Sequence, residues 1–301
     1  MQPDYIGERT NYRTIRIRIS DWCNFNCTYC IEHDTLPKDK FIGQFDLLGI
    51  LENLKRINQL DGREQRLFLW GGEPLLNKNL LWFLERVRTY YPFITEIELH
   101  TNLSIRLEED FFDSLNEYDV KVSSSIHLEY DNKFTVCQEN MIKANARGLL
   151  HEVNLMLNRL EDFDKCKEIK RAHSNLPISI VPTFQLQNSN LKKLEVLLTV
   201  SNDWRDKPIK CSDKYRNYIE VRNNIEVKDM MCSVPSDSFI INTDGSVYLC
   251  QNDFISGNKT KYNFFLVIPK EDLEFFMDAT ICQYQKCDCE HTVLKRSIKL
   301  K

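Results

Sequence analysis

Between residues 13 and 201 the chain repeats one rhythm six times: a short apolar run, then a stretch with helical spacing. The first run, Thr14-Ile-Arg-Ile-Arg-Ile-Ser20, alternates strictly, as a strand with Ile15, Ile17 and Ile19 on one face does. Phe45 to Leu60 follows with Leu47, Leu48, Leu51, Leu54 and Ile57 at helical intervals, and Asp61-Gly62 ends it. Further strands are expected at 66–70, 95–100, 120–127, 152–157 and 178–182. The helices between and after them are expected at about 79–91, 107–116, 138–147, 161–172 and 191–200. Alternating units of this kind build a parallel sheet with right-handed crossovers. Six units in under 200 residues are too few for an eight-unit barrel. The expectation is an α/β fold, a partial (β/α)6 TIM barrel, with its chemistry at the C-terminal ends of the strands.

Three thiols occupy the loop after the first strand, Cys23-Asn-Phe-Asn-Cys27-Thr-Tyr-Cys30. An odd number cannot close into local disulfides. Thiolates are the ligands of iron–sulfur clusters and of zinc, and three leave one metal position open. The residue types alone leave both metals open. The second strand runs into Gly71-Gly72-Glu73-Pro74. Glycines at a strand end let backbone approach a neighbour closely, and Glu73 can pair with an ammonium group. Eleven cysteines, odd in number and clustered, point to metal rather than to a disulfide scaffold. The formal net charge of −4 argues against a broad nucleic-acid surface. No apolar run is long enough to span a bilayer, and the N-terminus lacks the features of a signal peptide. The chain therefore reads as cytoplasmic.

The spacing of Cys23, Cys27 and Cys30, with Tyr29 before the last of them, resembles the cluster loop of the radical S-adenosylmethionine (radical SAM) enzymes. A Gly-Gly-Glu-Pro turn one βα unit later is similar to that family's second motif. The resemblance implies a [4Fe–4S] cluster on Cys23, Cys27 and Cys30, with S-adenosyl-L-methionine chelating its open iron. It implies that Gly71, Gly72, Glu73 and Pro74 grip the methionyl amino group and that Tyr29 and Val181 line the adenine. Thr101 and Asn102 stand where the family often reads Thr-Asn-Gly, near the ribose and methionine, but Leu103 replaces the glycine. Ser125 is the expected ribose contact. Relatives often continue from that serine into Asp-Gly; here Ile126-His127-Leu128-Glu129 follows. His127 is thus either a substrate or proton-transfer group or a plain strand-end residue.

The rhythm stops after residue 205. Three segments are expected: an N-terminal arm (1–12), the barrel (13–205) and a small cysteine-rich domain (206–301). The last holds a β-hairpin, Phe239–Asn242 and Ser246–Leu249, turned at Asp244-Gly245. Cys232, Gly245 and Cys250 are spaced like the start of SPASM and twitch domains. That resemblance implies a second, auxiliary [4Fe–4S] cluster drawn from Cys232, Cys250, Cys282, Cys287 and Cys289, with structural zinc as the other possibility. Cys137 and Cys166 read as buried helix residues, and Cys211 as a candidate hydrogen-atom donor.

The function the resemblance implies is reductive cleavage of S-adenosylmethionine to a 5′-deoxyadenosyl radical, fed by a flavodoxin or ferredoxin. Hydrogen abstraction then leads to dehydrogenation, epimerisation or ring formation. Only 22 residues precede Cys23, too few for a leader-binding domain, which favours a small molecule or short peptide as substrate. The alternative is a maturase of a ribosomally made peptide. A non-enzymatic iron–sulfur or zinc protein is the reading from another class; the Gly-Gly-Glu-Pro turn and the βα order argue against it, since neither is needed to hold a metal.

Overall fold

The computed structural model describes residues 5–6, 11–30, 40–183, 231–281 and 283–284. The expected helix at 191–200 and the residues Cys211, Cys282, Cys287 and Cys289 lie outside these. Strands β1 (Tyr5–Ile6), β2 (Tyr12–Ser20), β3 (Glu64–Gly71), β4 (Ile94–Thr101), β5 (Val120–His127), β6 (Leu150–Leu157) and β7 (Ile178–Pro182) come first. Helices α1 (Gln44–Asp61), α2 (Leu80–Tyr90), α3 (Glu109–Glu117), α4 (Phe134–Ala146) and α5 (Phe163–Ala172) alternate with β2 to β7. After residue 230 follow β8 (Met231–Pro235), β9 (Ser238–Ile241), β10 (Val247–Tyr248), α6 (Gln251–Ser256), α7 (Lys270–Leu273) and β11 (Ala279–Ile281). The result is an α/β fold with a mostly parallel sheet. Among the described residues no helix is long and apolar enough to cross a membrane.

The chain forms two compact units. The first comprises residues 1–23, 37–98 and 217–301, the second 24–36 and 99–216. The boundary falls within β4, between Glu98 and Leu99, and within the cysteine loop, after Cys23.

In the first unit β2 runs parallel to β3 on one side and to β9 on the other, from Thr14↔Ser238 to Ile17↔Ile241. Strict alternation predicts one polar face for β2. Instead Arg18, on that face, and Arg13, in step with Ile15, Ile17 and Ile19, are buried as completely as those isoleucines. A central strand is covered on both faces, so its polar side chains must find partners inside. Arg13 donates to Ser236 O, Asp61 Oδ2 and Phe276 O at 2.8–3.0 Å, and burial pushes its guanidinium down to about 10. Arg18 pairs with Asp21 at 2.6 Å and reaches Asn242 Oδ1 at 3.4 Å. The segment beyond residue 230 thus supplies cover for β2.

The hairpin expected around Asp244-Gly245 is present, with β9 antiparallel to β10. Gly245 takes φ +79, and a Cβ there would stand 2.2 Å from Asn263 Oδ1, so only glycine fits the turn. Residues 1–12, expected as a loose arm, contribute β1, which pairs parallel with Met231 and Cys232 of β8; β11 pairs antiparallel on the other side. Helix α1 buries Leu47, Ile50, Leu51, Leu54 and Ile57, with Ile50 rather than Leu48 completing the stripe, and Gly62 closes it at φ +67.

In the second unit β5, β6 and β7 are parallel neighbours. Val153, Leu155, Leu157, Ile178 and Ile180 are buried, while Ser125, His127, Glu152, Asn154, Met156 and Val181 are half-buried. Alternate residues face opposite sides of the sheet, so one face is apolar core and the other is polar and accessible.

Candidate active site at the cysteine loop

In the first unit the Gly-Gly-Glu-Pro turn is held against the residues that lead into Cys23. Gly72 N donates to Ser20 O at 2.8 Å and Glu73 N to Trp22 O at 2.7 Å. The sequence reading assigns the two glycines to close approach to a ligand. In the fold their nearest neighbour is the chain's own backbone. Gly71 takes φ +137, and a Cβ there would lie 2.1 Å from Ser20 O; at Gly72 it would lie 2.3 Å from Trp22 O and 2.8 Å from Cys23 N. Glu73 is fully buried, and its Oε1 accepts from Leu75 N at 3.0 Å, capping the 3₁₀ turn that opens on Pro74.

In the second unit the rest of the loop alternates in exposure: Phe25, Cys27 and Tyr29 are buried, Asn26, Thr28 and Cys30 exposed. Cys30 N donates to Cys27 O at 3.1 Å. Asn24 Nδ2 donates to Ser104 Oγ (2.7 Å), and Asn102 Nδ2 to Asn24 Oδ1 (3.0 Å). Asn102 Oδ1 accepts from Ser104 N at 2.9 Å and from its hydroxyl at 2.6 Å. The side chain of Asn102 therefore ties the loop to the end of β4. Thr101 Oγ1 accepts from Leu103 N at 3.0 Å. Leu103 sits at φ +51, keeping the left-handed backbone a glycine would take. Asn140 of α4 braces that bend by donating to Leu103 O and Ile105 O at 2.8 and 2.7 Å. Asn24, Ser104 and Asn140 carry no motif that marks them in advance; they are ordinary polar residues that the fold brings together.

His127 ends β5 with its Nδ1 3.3 Å from Cys27 Sγ and 2.7 Å from Tyr29 Oη. Its ring stacks on Tyr29 at 5.8 Å and meets the Phe25 ring edge-on at 5.7 Å. Burial pushes His127 down to about 4, with Glu129 pulling the other way, so the imidazole is neutral near pH 7. Burial first, then Cys27, holds the Tyr29 hydroxyl well above its ordinary value. A neutral imidazole protonated at Nδ1 donates to the sulfur; protonated at Nε2, it accepts from Tyr29. Ser125 pairs across the sheet with Asn154, and Asn154 with Ser179; His127, Met156 and Val181 form the next row.

The donor set suits an iron–sulfur cluster: Cys23, Cys27 and Cys30 are thiols held in no disulfide. Among the described residues no three His, Cys, Asp or Glu side chains converge as a finished metal site. Ligands of a metal site need not be gathered before the metal binds. Neither Cys232, buried within β8, nor Cys250, half-buried at the start of α6, is in a disulfide. Cys137 donates to Asn102 O at 3.3 Å, and Cys166 is buried in α5, as expected of plain core residues.

Comparison with known proteins places the chain. The model of the Radical SAM superfamily matches residues 17–174, over half of the sequence. A GTP 3′,8-cyclase of Campylobacter jejuni subsp. jejuni serotype O:6 is 27% identical over 159 residues, covering 51% of this chain and 47% of the cyclase. One from Staphylococcus epidermidis is 26% identical over 217 residues, covering 69% and 61%. The chain thus spans about half the length of the curated relatives it matches. Of solved structures, anSMEcpe with bound AdoMet superposes with a TM-score of 0.61 at 15% identity, covering 94% of this chain and 83% of that one. Streptococcus suis SuiB bound to precursor peptide SuiA gives 0.59 at 14%, covering 90% and 66%. At these identities the likeness is one of fold. With three thiols after β2 and the glycine turn after β3 inside the matched segment, the chain belongs to the radical SAM superfamily.

Proposed function

We propose that the chain is an enzyme that reductively cleaves S-adenosylmethionine and directs the resulting radical at a small-molecule or short-peptide substrate. The observation that carries this reading is the pair of bonds from Gly72 N to Ser20 O and from Glu73 N to Trp22 O. They seat the turn that would hold the methionyl group directly on the backbone entering Cys23, an arrangement a plain metal site does not need. Cys23, Cys27 and Cys30 would hold a [4Fe–4S] cluster. When bound, that cluster supplies one electron to the sulfonium of S-adenosylmethionine, releasing methionine and a 5′-deoxyadenosyl radical that takes a hydrogen atom from substrate.

The chain's own residues bind, orient and shield. Gly71 to Pro74 present backbone and a buried carboxylate to the amino group, and Thr101 and Asn102 shape the loop after β4. Ser125, Tyr29 and Val181 are proposed contacts to ribose and adenine. His127 and Tyr29, hydrogen-bonded to each other, pack beside Cys27. Cys232, Cys250, Cys282, Cys287 and Cys289 are proposed to supply four ligands to an auxiliary [4Fe–4S] cluster. A flavodoxin or ferredoxin is the proposed electron donor.

The name of the curated relatives, GTP 3′,8-cyclase, favours a small molecule. The peptides bound by structural neighbours favour a second reading, peptide maturation. The test is 5′-deoxyadenosine release from S-adenosylmethionine by anaerobically reconstituted, reduced protein, with the Cys23/Cys27/Cys30→Ala triple variant as control. Release by wild type alone supports the reading, and stimulation by GTP or by added peptide separates the substrates. Cluster-loaded wild type that neither binds S-adenosylmethionine nor releases the product refutes it.

A further inference from the structure

We infer that the segment His127–Tyr130 is a clamp for the cysteine loop, and that Glu129 is a positioning residue holding Thr28 so that Cys27 and Cys30 present their thiolates together. The inference rests on the function proposed above.

Five successive loop residues, Phe25 to Tyr29, meet three residues of this segment. Asn26 N donates to Tyr130 Oη at 2.5 Å, and the Tyr130 ring lies flat on Phe25 at 4.0 Å and 4°. His127 faces Cys27 and Tyr29. Glu129 takes Thr28 with both oxygens: Oε1 accepts the hydroxyl at 2.6 Å and Oε2 the backbone N–H at 3.3 Å. Leu128, between them, is buried and anchors the segment in the core.

Glu129 is itself held. Asn158 Nδ2 donates to its Oε1 at 3.2 Å, and Thr183 Oγ1 donates to Asn158 Oδ1 at 2.9 Å. Asn158 follows β6 and Thr183 follows β7, so the contacts run along the ends of three parallel strands to the loop. The strands are regular, backbone-bonded elements, whereas residues 23–30 form neither helix nor strand. Their backbone turns through a bond from Cys30 N to Cys27 O. A loop that must bring thiolates to one point loses conformational freedom in doing so, and contacts that restrict it beforehand reduce that loss. Outer partners of this kind support ligands they do not touch, and their removal lowers metal affinity about 10–100-fold.

The test uses the reconstituted full chain and follows cluster iron retained against a chelator, with EPR of the reduced cluster with and without S-adenosylmethionine. Glu129→Ala and Thr28→Val are each expected to lose iron at about 10–100-fold lower chelator concentration. The double variant is expected to be no worse than either single change, because the two side chains form one contact. Glu129→Gln keeps an oxygen for the Thr28 hydroxyl and is expected to restore retention and the wild-type EPR response. The cluster-free chains should all melt together, since Glu129 and Thr28 are exposed. Wild-type retention by Glu129→Ala, additive loss in the double variant, or a Gln variant as impaired as Ala overturns the inference. A wild-type chain that loads no cluster at all overturns instead the function on which it rests.

Discussion

Replacing Gly72 by alanine tests the geometry at the centre of the proposed site. The new Cβ would stand 2.3 Å from Trp22 O, 2.4 Å from Trp22 C and 2.8 Å from Cys23 N. All three are backbone atoms, which cannot swing aside as a side-chain tip can. The strand end must retreat by about 1 Å before even a compressed van der Waals separation is reached. That retreat breaks the bonds from Gly72 N to Ser20 O and from Glu73 N to Trp22 O. Each is worth about 1 kcal/mol when made and about 1–3 kcal/mol when a buried partner is left unsatisfied. The expected cost is therefore about 2–5 kcal/mol, a fall in melting temperature of about 5–10 °C for a chain of this size. S-adenosylmethionine should bind at least about tenfold more weakly, since about 1.4 kcal/mol suffices for that factor. Gly43 supplies the control: a Cβ there would meet only Asp46 Oδ2, at 3.6 Å. Its alanine variant should melt within about 2 °C of wild type. Calorimetry on both variants, with S-adenosylmethionine titrations of the reconstituted proteins, reads the comparison. If Gly72→Ala melts and binds like Gly43→Ala, the close approach is not what holds the turn to the loop.

Leu103 and Cys166 offer two further checks. Both alanine and glycine at 103 lose a buried side chain, at about 2–5 kcal/mol, but only glycine takes φ +51 without strain. Leu103→Gly should therefore be more stable than Leu103→Ala by about 1 kcal/mol in denaturant titration; the reverse order would show that the backbone relaxes out of the left-handed region. Cys166, pushed up to about 12 by burial, stays a thiol at pH 8. In native cluster-free protein maleimide should label the exposed Cys30 and spare Cys166 until unfolding, as read by peptide mass spectrometry. Because its folded pKa lies above the unfolded value of about 8.5, its share of stability is complete below that pH. That share is lost as the pH rises from there towards 12.

The strands were legible because their cause is local. Val120–His127 and Ile178–Pro182 begin and end where the apolar pattern does, since period-two alternation and flanking polar residues act over a few positions. The cysteine loop and the glycine turn were legible for a related reason: their residue types and spacing are a chemical requirement written in consecutive positions. Arg13 and Arg18 were not. Arg18 alternates with isoleucine and reads as an outward residue, while Arg13 stands in step with the isoleucines; besides Asp21 and Asp61, acceptors on Ser236, Asn242 and Phe276, more than 220 residues later, let the two be buried. Glu129 was visible as part of a departure from the pattern the resemblance implies and Tyr130 was not marked at all; their partners Thr28 and Asn26 lie about a hundred residues away.

By itself the sequence determined that the chain would alternate strands and helices, that three thiols would follow the first long strand, and that glycines would follow the next. Each is a matter of period, propensity or ligand chemistry within a dozen residues. Only the tertiary structure decided what the glycines press against, what the buried arginines pair with and which segment grips the cysteine loop. These depend on which distant backbone comes within 3 Å of a given atom. That proximity follows from the summed burial of the whole chain, which short-range pattern does not encode.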